Sequence, residues 1–250
     1  MANLIIDIGN TRTKVAVFEN GMLLKVDSYE SITGEQLDSY LKKELITHSI
    51  LASVRSDAAV VGQLENTLRK HTSYIRFSLE SATTIKNFYK TPQTLGLDRL
   101  AGLLGAQALY PQTNCLVIDA GTCIKYDLIN HTGSYFGGSI SPGISMRFKA
   151  LHEFTGKLPL VNFDAKFATK EGTDTISSIL SGVIQGALFE MKGFIESYYN
   201  RYDQLHVILC GGDALFFDTQ LKNGIFAHLL YVEPHLVLFG LNETIQQQND

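Results

Sequence analysis

The chain has 250 residues, 45% of them hydrophobic and 18% charged, an ordinary composition for a soluble globular protein. A formal net charge of −4 argues against a general polyanion binder, because nucleic-acid affinity rests largely on cationic neutralisation of phosphates. Three cysteines, Cys115, Cys123 and Cys210, form no CxxC pair and no disulfide framework, and read as small thiols in or beside apolar runs.

The first element is Leu4-Ile5-Ile6-Asp7-Ile8-Gly9-Asn10-Thr11, an apolar run ending in a carboxylate, a glycine and a hydroxyl residue. It has no basic or apolar leader pattern before it, so no signal peptide is expected and the cytoplasm is the expected compartment. A second apolar run, residues 14–18, closes on Asn20-Gly21, a strong hairpin signal. Residues 23–29 read as a strand and residues 31–45 as a helix, with Leu37, Leu41 and Leu45 at spacing four. A strand over 49–54, a helix over 58–71 and a short strand over 74–77 follow; this alternation predicts an α/β sheet.

The loop Asn87-Phe88-Tyr89-Lys90-Thr91-Pro92-Gln93-Thr94-Leu95-Gly96 leads into Leu97-Asp98-Arg99 and a helix over 100–106. Asp98 reads either as a helix N-terminal carboxylate or as a base beside a guanidinium, and sequence alone does not separate the two. A boundary is expected near Tyr110-Pro111, giving lobes of 1–114 and 115–250.

The opening pattern then returns as Leu116-Val117-Ile118-Asp119-Ala120-Gly121-Thr122, followed by residues 124–129 and the turn Asn130-His131-Thr132-Gly133. Glycine lets backbone N–H groups approach a ligand, and a neighbouring carboxylate can hold the Mg²⁺ that bridges phosphates. Two such bends, one opening each half, predict duplicated lobes with a nucleotide cleft between them. Gly137-Gly138-Ser139-Ile140-Ser141-Pro142-Gly143 is expected to be a loop, entering a helix over 144–151. Asp174 or Thr175 caps a long helix over 176–195, too often interrupted by Gln185, Glu190 and Lys192 to span a membrane; Gly182 and Gly186 share one of its faces and predict close helix contact. The strand 206–210 runs into Gly211-Gly212-Asp213, either a backbone platform for a flat ring or a tight turn. GxxxxGK[ST], GxSxG, HExxH and a strand followed by GxGxxG are all missing, and His152 and His235 stand at no ligand spacing.

Asp7-x-Gly9-Asn10-Thr11, Gly96-x-Asp98-Arg99, Asp119-x-Gly121-Thr122, Gly137-Gly138-x-Ile140-x-Pro142-Gly143 and Gly211-Gly212-Asp213 occur in an order that resembles the type III pantothenate kinases of the actin/Hsp70/sugar-kinase superfamily. The resemblance covers nearly the whole chain, and Gly-x-Asp-Arg is its specific part. It implies α/β, ribonuclease-H-like (actin-like ATPase) lobes and transfer of the ATP γ-phosphoryl group to pantothenate. It implies that Asp7, Ile8, Gly9, Asn10, Thr11, Arg12, Thr13 and Lys14 cradle ATP, with Thr122 a further contact and Asp7 near Mg²⁺. It further implies that Asp98 is the base, that Tyr89, Gly96, Leu97, Asp98 and Arg99 line the pantothenate site, and that Asp119 holds a monovalent cation, K⁺ or NH₄⁺. Thr175 matches a substrate-contacting threonine at a homodimer interface. No nucleic-acid or membrane partner is expected.

Three positions depart from the family pattern. Cys123 and Lys125 stand where a small residue and a threonine are usual, and Arg55-Ser56 replaces a common x-Pro after Ser53-Val54. A lysine ammonium beside Asp119 could partly replace or compete with K⁺. The competing readings are another small-hydroxyl kinase of the superfamily and a non-catalytic, nucleotide-binding transcriptional regulator.

Overall fold

The described residues of this computed structural model are 2–43, 45–54, 58–168 and 170–249; Arg55 and Ser56 lie outside them. The chain divides into two compact units, Met1–Pro111 with Leu236–Asp250, and Gln112–His235.

In the first unit β1 (Ala2–Ile8), β2 (Thr13–Glu19) and β3 (Met22–Tyr29) form an antiparallel meander. Asn20 and Gly21 turn with φ of 50° and 78°, the two positive values that a two-residue hairpin needs. Helices α1 (Gly34–Lys43) and α2 (Ala58–His71) then carry the chain to β4 (Ile46–Ser53) and β5 (Ser73–Arg76). β4 joins β1 in parallel and β5 joins β4, giving the order β3-β2-β1-β4-β5. A two-residue strand, β6 (Lys86–Asn87), precedes α3 (Leu97–Leu109).

The unbroken apolar run of β1 follows from burial on both faces of the sheet. Leu4, Ile6 and Ile8 pack with Leu37, Leu64 and Leu68 of α1 and α2. On the opposite face α3 and the C-terminal helix α7 (Leu236–Asn249) close the sheet: Phe18 meets Phe239 edge to face at 5.3 Å, and Asn3 donates to Asn242 at 2.9 Å. The two helices can pack closely because Gly105 and Gly240 lie between them. A Cβ on Gly240 would overlap the carbonyl oxygen of Ala101, and one on Gly105 that of Leu236.

That packing corrects two expectations. The C-terminal helix belongs to the first unit, so the units do not coincide with 1–114 and 115–250. Within the chain Gly182 and Gly186 make no close helix contact, since a Cβ on either meets nothing within 4 Å.

The second unit repeats the first, strand for strand. β7 (Asn114–Ala120), β8 (Cys123–Ile129) and β9 (Ser134–Pro142) form the meander, with β10 (Leu205–Cys210) parallel to β7 and β11 (Leu230–Val232) parallel to β10. Their order, β11-β10-β7-β8-β9, is that of the first unit in mirror listing, and each unit is a ribonuclease-H-like lobe. Leu116 and Ile118 of β7, Tyr126 of β8 and Val207 of β10 form one core with Ile184, Leu188 and Met191 of α5 (Thr175–Tyr199) and Phe148 of α4 (Ile144–Glu153). The last helix of this unit is α6 (Ala214–Leu221).

Residues 137–143 are not the expected loop, because most of them are the far half of β9. Gly138 makes this possible: it pairs with Asp127, and a Cβ there would overlap the carbonyl oxygen of Tyr126. The register shift between Asp127 and Ile129 and the φ of 126° at Gly137 absorb the irregularity. Among the described residues no helix is long and apolar enough to cross a membrane.

Candidate active site

Asp7 closes the inner strand of the first lobe, opposite Lys14 on β2 and beside Ala52 on β4. The Gly9 N–H donates to the Arg12 carbonyl at 3.0 Å and shuts the bend, and the Val54 N–H donates to the Ile8 carbonyl at 3.0 Å from the neighbouring strand end. Ile8 and Thr13 are buried and anchor the two ends; Asn10, Thr11 and Arg12 between them are exposed. An exposed bend with a glycine, an amide and a hydroxyl is able to donate to phosphate oxygens.

In the same lobe, Gly96 starts α3 in an extended conformation (φ −60°, ψ 129°) and supplies no side-chain cap. The Arg99 N–H is shared between the Gly96 carbonyl at 3.1 Å and Asp98 Oδ1 at 2.9 Å. A Cβ on Gly96 would stand 2.6 Å from that oxygen, so glycine leaves room for the carboxylate to fold back over the helix end. Arg99 is only 7% exposed, and its guanidinium lies 5.5 Å from the centre of the Tyr89 ring. The two sequence readings of Asp98 are therefore compatible: the helix start is what orients the carboxylate. Tyr89, Gly96, Asp98 and Arg99 form one corner, with Leu97 half-buried among them.

The second lobe carries the matching bend. Asp119 ends β7 opposite Lys125 on β8 and beside Cys210 on β10. The Gly121 N–H donates to the Cys123 carbonyl at 3.0 Å, the Asp213 N–H to the Ala120 carbonyl at 2.9 Å, and the Gly143 N–H to the Thr122 carbonyl at 3.1 Å. Thr122 is exposed. Gly211 has φ 87°, and a Cβ there would crowd the Ala120 carbonyl and stand 2.5 Å from Asp119 Oδ1. Gly211 thus serves the tight turn, whereas a Cβ on Gly212 would meet open space. Burial raises the Asp213 carboxyl above its ordinary value, and pushes the Cys115 thiol up to about 12. Lys125 Nζ donates to Asp119 Oδ2 at 2.6 Å, the side chains being 18% and 23% exposed.

Asp174 is the cap of α5: its carboxylate accepts the Ser177 N–H at 3.0 Å, while the Ser177 hydroxyl accepts the Asp174 N–H at 3.0 Å. Thr175 is left as the first helical residue, exposed at the end of an apolar groove of about 1100 Å³ between α4 and α5. Met146, Leu151, Phe154, Ile179 and Val183 line that groove, and Pro142 and Arg147 at its edge belong to the corner that braces Thr122.

Glu190, in sequence only an interruption of an apolar helix, has a structural role. It is the centre of a polar network. Its carboxylate accepts from Arg147 at 2.5 Å, Ser141 at 2.5 Å and Tyr126 at 3.0 Å, and Arg147 Nε donates to the Pro142 carbonyl at 2.8 Å. Burial raises the Glu190 carboxyl, but the hydrogen bonds from Ser141 and Arg147 and the Arg147 charge outweigh it and leave the group below its ordinary value. The available signal was helical phase: Glu190 shares the stripe of Val183, Ala187 and Phe194, where a carboxylate needs a partner.

A glycine bend with a carboxylate, present in each unit, suits phosphate binding, and the carboxylate at the start of α3 beside a guanidinium suits a small hydroxyl acceptor. The type III pantothenate kinase family profile matches residues 3–197. A type III pantothenate kinase of Christiangramia forsetii is 45% identical over 247 residues, covering 96% of each chain. One from Phocaeicola vulgatus is 42% identical over 248 residues, covering 97% of each. Among solved structures, a ROK hexokinase of Thermus thermophilus aligns with a TM-score of 0.55 at 13% identity, covering 100% of both chains, and shares the fold. A Campylobacter jejuni protein assigned to the Baf family of transcriptional activators aligns with a TM-score of 0.60 at 19% identity over 98% of both chains, again a likeness of fold. This chain belongs to the type III pantothenate kinase family.

Proposed function

We propose that the chain carries out its family's reaction, phosphorylation of pantothenate by ATP at the head of coenzyme A synthesis, with Asp98 as the general base. The observation that carries this assignment is the corner at the start of α3, where the Arg99 N–H holds Asp98 Oδ1 at 2.9 Å beside the Arg99 guanidinium and the Tyr89 ring. The Asp98 carboxylate takes the proton of the acceptor's primary hydroxyl as its oxygen bonds to the γ-phosphorus; the bridging bond to the β-phosphate breaks and ADP leaves. The Arg99 guanidinium neutralises the acceptor's carboxylate through charge-assisted hydrogen bonds.

Residues 7–14 cradle the triphosphate, and Thr122 adds a contact from the second bend. A single carboxylate suits Mg²⁺, which takes one or two protein carboxylates and completes its shell with phosphates and water, so Asp7 is the residue that would hold it. When bound, Mg²⁺ neutralises charge on the β- and γ-phosphates. Asp7 and the Gly9 bend position that charge, and positioning is most of what phosphoryl transfer asks of a protein.

The assembly we assign is a homodimer, with a second copy seated at the α4–α5 groove near Thr175. Phe154 in its lining is 85% exposed, an apolar surface that suits a partner. The compartment we assign is the cytoplasm, where ATP is supplied. The test is incubation of the purified chain with ATP, Mg²⁺ and a set of acceptors, read by the mass of each. A phosphorylated pantothenate is expected and unaltered glucose and N-acetylhexosamines; a phosphorylated sugar with untouched pantothenate overturns the reading.

A further inference from the structure

We propose that Lys125 supplies the monovalent positive charge at Asp119 from within the chain, so that this kinase works without the K⁺ or NH₄⁺ its family resemblance implies. The proposal rests on the pantothenate-kinase reading above and concerns one position in it.

The residues present do not fit a free monovalent cation on Asp119. The ammonium of Lys125 already lies 2.6 Å from Oδ2. A second cation on the same carboxylate would meet the repulsion of the first.

Register brings the two side chains together, and the 2.6 Å contact makes the pair. Asp119 and Lys125 are directly opposed on β7 and β8, and the ladder closes through the Gly121 N–H bond to the Cys123 carbonyl at 3.0 Å. Cross-strand neighbours lie within reach of a long side chain. A tethered ammonium also binds its carboxylate without the loss of translational freedom that a dissolved ion incurs. It resembles NH₄⁺ in charge and in its hydrogen-bond donors, so the bend keeps one carboxylate and one cation in either case.

The test measures phosphopantothenate formation by the full chain at matched ionic strength in chlorides of K⁺, NH₄⁺, Na⁺ and tetramethylammonium. The wild-type rate is expected to agree across the four within about twofold. Lys125→Thr is expected to lose about tenfold or more in Na⁺ and tetramethylammonium and to recover in K⁺ and NH₄⁺. Thermal unfolding gives a second reading: K⁺ should raise the Tm of Lys125→Thr relative to tetramethylammonium and leave the wild type unmoved. Lys125→Gln serves as a second variant if the threonine chain does not fold. A wild-type chain that needs K⁺, or whose Tm rises with K⁺ over tetramethylammonium, overturns the proposal. Absence of product in every salt overturns the kinase reading instead, and the Tm comparison then decides the ion pair alone.

Discussion

The two glycine bends are built on one plan and finished differently. In each, an aspartate ends the inner strand opposite a lysine: Asp7 opposite Lys14 and Asp119 opposite Lys125. The residue after each aspartate accepts an N–H from just beyond the neighbouring parallel strand, Ile8 from Val54 and Ala120 from Asp213. The first bend then runs through three exposed residues, Asn10, Thr11 and Arg12, before Thr13 is buried again. The second exposes Thr122 between half-buried Gly121 and Cys123, and Gly143 braces it from behind. Duplication supplied a common frame; the loops decide that one bend presents three exposed residues while the other exposes one and is propped from behind.

That contrast can be broken at several points. Asp7→Asn removes the carboxylate of the open bend, and kcat/KM for ATP should fall about 10³-fold, roughly 4 kcal/mol, with little change in Tm. Steady-state kinetics at varied Mg²⁺ check this, and an unaltered kcat/KM would separate Asp7 from the phosphates. Gly143→Ala attacks the brace of the second bend, where a Cβ would overlap the Gly121 carbonyl; a loss of about 3 kcal/mol is expected by urea unfolding. Gly9→Ala is the matched control. A Cβ there would stand 3.1 Å from the Arg12 carbonyl, so about 1 kcal/mol is expected, and equal losses at the two glycines would erase the distinction.

Glu190 tests how the brace is held. Because its folded carboxyl lies below the usual value of 4.5, its stabilisation is fully present above that pH and is lost as pH falls through the lowered value. Glu190→Gln should lower stability by about 1–2 kcal/mol at neutral pH and flatten this acid limb. Tm measured between pH 3 and 6 reads both effects, and an unchanged limb would assign the acid sensitivity to other carboxylates. The smallest effect is expected at Gly62→Ala in α2, where a Cβ meets nothing within 4 Å. A gain of up to about 1 kcal/mol in helix stability is expected by urea unfolding.

Much of this plan was legible in the amino-acid order. Asn20-Gly21, the alternation of strands and helices, and the repeated Asp-x-Gly bend are local signals, and they lead to the observed meanders and parallel strands. β9 was hidden because Gly137, Gly138 and Pro142 read as a loop; their reason is contact with β8, visible only once the strands pair. The return of α7 to the first unit is likewise a packing fact, resting on Gly105 and Gly240 at widely separated places in the sequence. At the site, the Asp98-Arg99 pair could be picked out by motif, but the helix-start bond that orients Asp98 could not. The role of Glu190 is hidden because its partners lie far off in sequence at Tyr126, Ser141 and Arg147.

The most direct measurement on the central claim is single-turnover phosphorylation of pantothenate by Asp98→Asn, with ATP affinity measured in parallel. The account predicts a chain that folds and binds ATP as the wild type does, with kcat lower by about 10²–10⁴-fold. A variant that turns over at the wild-type rate would contradict the assignment of Asp98 as the base.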